Sequence, residues 1–109
     1  MNRTLEARLR ARERKVPAGG HEFTVRRPKA AEIINGLDGL EMVRRFTVGW
    51  NLTNIDLVPG GNPDPEPFDA ALFADYIEDN PELWPPIAEA IVALWREHEE
   101  RKVAAAKNS

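Results

Sequence analysis

The sequence predicts a mainly α fold, a small single-domain helical bundle with a short β element near the N-terminus. A length of 109 residues suits one compact core. In the middle and at the end of the chain, apolar residues recur at helical spacing behind recognisable cap residues. Only His21-Glu22-Phe23-Thr24-Val25-Arg26 alternates polar with apolar side chains clearly, the two-residue period of a half-buried strand.

Met1 to Lys15 favours helix by propensity, but Leu5 and Leu9 are almost its only large apolar residues, too few to bury a face. Residues 1–16 are therefore expected to be a basic N-terminal arm or exposed helix, ahead of a helical domain over 17–103 and a frayed tail over 104–109. Val16-Pro17-Ala18-Gly19-Gly20 supplies turn residues before the strand. That strand needs a partner, either Ile55-Asp56-Leu57-Val58 within the domain or a strand from another chain.

Pro28 is placed to begin a short helix through Ile33 and Ile34, which Asn35-Gly36 would close. Asp38 can cap the next helix while Glu41 reaches back to it and Leu37 packs on Met42. This helix is expected to run towards Trp50, with Met42, Val43, Phe46 and Trp50 on one face. Four prolines with Asn and Gly make residues 51–67 an irregular loop. Asp69 then reads as a cap, with Phe68 and Phe73 at staple spacing and Leu72, Phe73, Tyr76 and Ile77 forming the buried stripe. Asp79-Asn80-Pro81 ends that helix, and Pro81 to Trp84 forms a turn. The last helix starts at Pro85-Pro86, burying Ile87, Ile91, Leu94, Trp95 and His98 and leaving Glu97, Glu99, Glu100, Arg101 and Lys102 in solvent.

Composition narrows the function. Without cysteine there are no disulfides or thiolate metal sites. No apolar run approaches the roughly 20 residues of a membrane span, and the charged N-terminus is unlike a signal peptide, so a soluble, unexported protein is expected. His21 and His98 each lack a second ligand at metal spacing, and the acids of Asn62-Pro63-Asp64-Pro65-Glu66 lack calcium-loop spacing. The only serine is Ser109, and the Gly-Gly pairs fit no phosphate-loop pattern. No catalytic residue, metal ligand or cofactor is therefore assigned, and binding is the expected activity.

Charge and aromatic residues mark where binding could occur. Residues 1–29 carry nine Arg or Lys against three acids, whereas residues 30–100 carry three Arg against fifteen acids. The basic candidates are Arg8, Arg10, Arg12, Arg14 and Lys15. Nucleic-acid phosphate is one ligand for such an arm, but the acidic body opposes it, which favours acidic protein surface, including another copy of the chain. Head-to-body contacts of this kind would make a homo-oligomer. Trp84, Tyr76 and Trp50 are the candidate partner-binding aromatics; Trp84 stands out because neighbouring prolines would hold its ring at low entropic cost.

The succession Phe23-Thr24-Val25-Arg26-Arg27-Pro28, Arg44-Arg45-Phe46-Thr47-Val48-Gly49-Trp50, Asp56-Leu57-Val58-Pro59-Gly60-Gly61 and Pro67-Phe68-Asp69-Ala70-Ala71-Leu72-Phe73 resembles small tail assembly chaperones of long-tailed phages and prophages. Ala105-Ala106-Lys107-Asn108 is similar too, so the likeness spans residue 17 to the end, carried by the order of segments. The resemblance implies a protein of the host bacterial cytoplasm that binds the tape-measure and tail-tube proteins during tail morphogenesis and stays out of the finished virion. It also implies a longer form made by frameshifting, for which codons of Lys107-Asn108 could supply a slippery run. The competing readings are a small structural tail or head-tail component and a phage nucleic-acid-binding regulator.

Overall fold

The computed structural model describes residues 2–33 and 36–107. Asn2 caps the first helix, α1 (Arg3–Ala11), by accepting the Leu5 N–H at 3.0 Å. Leu5 and Leu9 stay exposed and no residue of α1 is buried, so little apolar burial holds this helix in place.

Two antiparallel strands follow, β1 (Glu13–Ala18) and β2 (His21–Arg26), joined by Gly19-Gly20. Both glycines have positive φ, 58° and 79°, the arrangement that lets a two-residue turn follow the twist of the strands. The expected turn is thus confined to Gly19-Gly20, while Val16 to Ala18 belong to a strand. The expected boundary after residue 16 falls inside β1, whose Val16 and Ala18 are both in the core. Arg14 shares their face of the strand and projects towards the last helix.

The partner of β2 on its other side differs from expectation. Residues 47–50 form β3 (Thr47–Trp50), giving the sheet order β1-β2-β3, whereas Asn54–Leu57 forms a short helix, α4. A register shift at Thr24/Val25 places Trp50 opposite Phe23 and Thr47 opposite Val25. The helix expected to reach Trp50 stops at Phe46, forming α3 (Gly39–Phe46). β-Branched Thr47 and Val48, then Gly49, disfavour continued helix and suit pairing with β2. Helices and the single-turn element cover 59% of the described chain, so it remains mainly helical, but the three-stranded sheet makes it a mixed α/β domain instead of a pure bundle.

Between sheet and helices lie Phe23, Val25, Val43, Phe46, Phe73, Ile77, Ile87 and Ile91, all without solvent exposure. The last three helical elements are α5 (Ala70–Glu78), a single 3₁₀ turn (Pro81–Leu83) and α6 (Trp84–Lys107). Asp69 caps α5 through the Leu72 N–H at 2.8 Å, and the Phe68 ring centre lies 5.8 Å from that of Phe73. Asp38 caps α3 likewise, but Glu41 pairs with Arg44 at 3.0 Å, away from the cap. In α6, Pro85 and Pro86 occupy the first turn, where a missing N–H costs no helical bond. Ile87, Ile91 and Leu94 are buried along one stripe, while Trp95 and His98 are half-buried. The expected frayed tail is helical through Lys107, with residues 101–107 exposed.

Before α3, the short α2 (Ala30–Ile33) begins after Pro28, not at it, and the proline itself is buried. The expected end of this helix at Ile34 and Asn35 lies outside the described residues. Glu32 of α2 accepts both ends of the Arg26 guanidinium, at 2.9 and 2.8 Å, and the Lys29 N–H at 2.9 Å. Arg26 also sits 4.8 Å from the centre of the Phe46 ring.

The Arg26 hydrogen bonds are the largest cause holding the Glu32 carboxyl at about 2, below its ordinary value near 4.5; burial opposes them and the Lys29 N–H adds to them. Because the folded value is depressed, the stabilisation is fully present above the unfolded value and is lost as pH falls from about 4.5 towards about 2. Allowing for solvent screening, Glu32→Gln should cost about 1–2 kcal/mol at neutral pH. Urea unfolding should show that gap between parent and variant closing across the acid window; a gap independent of pH would assign the effect to packing.

Candidate functional site

An apolar groove runs between α6 on one side and α2 with α3 on the other. Pro28, Ile33, Leu37 and Met42 form one wall, and Ile91, Val92 and Trp95 form the other, around a volume of about 260 Å³. The Ile87, Ile91, Leu94 stripe seats α6 against the core and leaves Val92 and Trp95 half-buried at its flank. Met42 and Leu37 are half-buried on the opposite wall. Met42 brings an unbranched thioether that can adapt to different apolar shapes.

The three expected partner-binding aromatics are placed differently. Trp50 and Tyr76 come together, with ring centres 6.5 Å apart, in a cluster with Phe23, Phe68 and Phe73. Burial, reinforced by Asp56 and Glu82, pushes the Tyr76 phenol above its ordinary range. The Trp50 indole N–H donates to the Glu66 carbonyl at 2.7 Å, fastening the loop after β3 to the sheet. Trp84 lies outside this cluster and donates to the Ile77 carbonyl at 2.6 Å, joining the start of α6 to α5. Each indole is half-buried and has an internal hydrogen-bond partner, so each serves the packing of its neighbours.

The loop between β3 and α5 is fastened further. Asp56 accepts both the backbone N–H and hydroxyl of Thr53, which hold its carboxyl below the usual range. Asn54 donates its backbone N–H to the Asp64 carbonyl at 2.9 Å, and its side chain accepts the Asn62 N–H at 3.1 Å. A side chain at Gly61 would collide with this Asn54 amide, which explains the bare backbone there.

The basic candidates divide. Arg10 pairs with Glu6 at 3.7 Å and Lys15 with Glu22 at 3.8 Å. Arg14 makes a two-pronged pair with Glu97 of α6, at 2.9 and 2.7 Å, which keeps the guanidinium charged and holds the carboxyl below its usual range. Arg8 and Arg12 instead face a concavity completed by Arg27, His98 and Arg101. Arg27 and Arg101 have no sequence motif to mark them, because α1, the end of β2 and α6 meet only in the folded chain. The Arg27 N–H bond to the Arg12 carbonyl, at 2.7 Å, extends the hairpin pairing and brings those two residues together.

Among the described residues no group of three or more His, Asp or Glu converges as a metal site, and no helix is long and apolar enough to cross a membrane. The fold and surface define a small mixed α/β domain with separate apolar and cationic concavities. No protein-family model, curated protein or solved structure matches the chain.

Proposed function

We propose that this protein is a phage tail assembly chaperone, which acts in the host cytoplasm by binding the tape-measure protein and tail-tube subunits. The observation that carries the reading is the apolar groove. Its volume of about 260 Å³ lies just below the roughly 300–1,000 Å³ of small-molecule pockets and suits one or two apolar anchors of a helix laid across it. The long tape measure is expected to present such apolar helical segments before it is enclosed. The groove would cover one segment at a time while the acidic body keeps the complex soluble. The resemblance of the ordered run of segments to tail assembly chaperones supports the same choice of partners.

Co-expression with the tape-measure protein from the same genome tests the proposal. The tape measure should move from the insoluble to the soluble fraction and co-purify with the chain. Val92→Glu and Met42→Glu each put a charge on one wall and should abolish rescue while the helical circular dichroism is retained. A well-expressed tape measure that is neither bound nor rescued by the folded parent chain overturns the reading. Rescue unchanged in both folded groove variants moves the binding surface elsewhere.

A further inference from the structure

We infer that the concavity formed by α1, the end of β2 and α6 binds a compact phosphoryl anion. Its volume is about 200 Å³, and Arg8, Arg12, Arg27 and Arg101 line it with His98. None of the four arginines has an ion-pair partner among the described residues, although Glu6, Glu22, Glu32, Glu78, Glu97 and Glu99 each pair with another cation. Acids are therefore plentiful on this surface, and although Glu99 acts on Arg27 and Glu97 on Arg101, neither comes close enough to form an ion pair with these guanidinium groups.

Like charges gathered in this way oppose one another. Burial is the largest influence lowering the proton affinity of Arg27, followed by Arg12, Arg101 and Arg8, with Glu99 opposing. His98 is lowered first by burial, then by Arg27 and Lys102, with Arg101 adding to them and Glu99 again opposing. Glu99 is itself engaged with Lys102 at 3.6 Å. An anion in the concavity would turn this repulsion into attraction.

The number of forks selects the anion. A carboxylate has two oxygens and is satisfied by one guanidinium, whereas a phosphoryl group has three terminal oxygens and up to two charges. Arginine's planar donors match both, but four converging arginines exceed what one carboxylate can use. Arg8 lies in the last turn of α1 and would favour the helix dipole there in any case. Arg27 follows β2 and donates to the Pro28 carbonyl at 3.0 Å, and Arg101 stands on α6 one turn after Glu97, whose carboxyl it helps to depress, yet the fold brings all of them to one concavity. A free phosphate or pyrophosphate and a nucleic-acid phosphate share this chemistry.

Titration of the full chain with inorganic phosphate and pyrophosphate at constant ionic strength, followed through the His98 imidazole by NMR, tests the site. Binding should raise the His98 pKa, because an adjacent anion favours the imidazolium, with pyrophosphate tighter than phosphate. Arg27→Gln combined with Arg101→Gln should weaken pyrophosphate by about tenfold or more, and Arg101→Gln alone, at an exposed helical position, by about threefold. Arg10→Gln combined with Arg45→Gln removes the same charge away from the concavity and should change affinity by less than about twofold.

An unmoved His98 overturns the assignment, as do equal losses in the two double variants or a tetraglutamate peptide that binds as tightly as pyrophosphate. An oligothymidylate that binds far more tightly than pyrophosphate, with steep salt dependence and the same loss on Arg27 and Arg101 substitution, assigns the phosphoryl group to a nucleic-acid backbone. One that binds no more tightly assigns it to a free phosphate compound. Since the probe is phosphate and not a tail protein, failure here leaves the groove's function standing.

Discussion

Phe23→Ala is expected to lower the free energy of unfolding by about 3–5 kcal/mol, a large share of the roughly 5–15 kcal/mol available to a small domain. The ring is wholly buried at the centre of the sheet and lies opposite Trp50 on β3 and Val16 on β1. It also meets Phe73 and Tyr76 of α5, with ring centres 6.0 and 6.5 Å away. Truncation would forfeit apolar burial and leave a cavity that strands and helix border together, so no single neighbour can fill it without disturbing another element. Urea unfolding by circular dichroism measures the loss. Leu5→Ala, on exposed α1, should change stability by no more than about 0.5 kcal/mol in the same assay. Similar losses at both positions would contradict the placement of the core.

Gly19→Ala should cost about 2–4 kcal/mol, against about 1 kcal/mol for Gly20→Ala. Both positions have positive φ, so both substitutions strain the backbone. Their surroundings differ. A methyl at Gly19 would come within 2.6 Å of Leu83 Cδ2, whereas one at Gly20 meets nothing within 4 Å. Leu83 is buried and belongs to the single-turn helix leading into α6, so its side chain cannot simply swing into solvent. The difference between the two unfolding energies therefore measures contact between the hairpin tip and the start of α6. Equal losses would mean that turn strain alone governs both.

The strongest sequence signals concern features decided within one turn of chain. Asp38, Asp69 and the proline pair at 85–86 mark helix starts through local hydrogen-bonding needs, and the alternation of residues 21–26 marks β2. β1 is obscured because its inward positions are Arg14, Val16 and Ala18, a weak apolar signal interrupted by Pro17. β3 is obscured for a different reason: Phe46 and Trp50 keep helical spacing across the point where helix becomes strand. Only pairing with β2 decides between the two conformations. Where Arg27 meets Arg101 is likewise a product of topology, since 27 and 101 belong to distant parts of the chain. The prolines around Trp84 are legible in the sequence, whereas the bond from its half-buried indole to the Ile77 carbonyl depends on how α5 meets α6.

The sheet has two edges, and the longer is β1. Pro17 lacks the amide hydrogen a docking strand would use, and Glu13, Arg14 and Lys15 place charge along the same strand. The opposite edge strand has four residues and sits beside a register shift. Neither edge is a good template for adding strands from neighbouring molecules. Even in a crowded solution, side-by-side growth of the sheet into a fibril is disfavoured, and contacts between copies are left to side chains, where charge and shape can make them reversible.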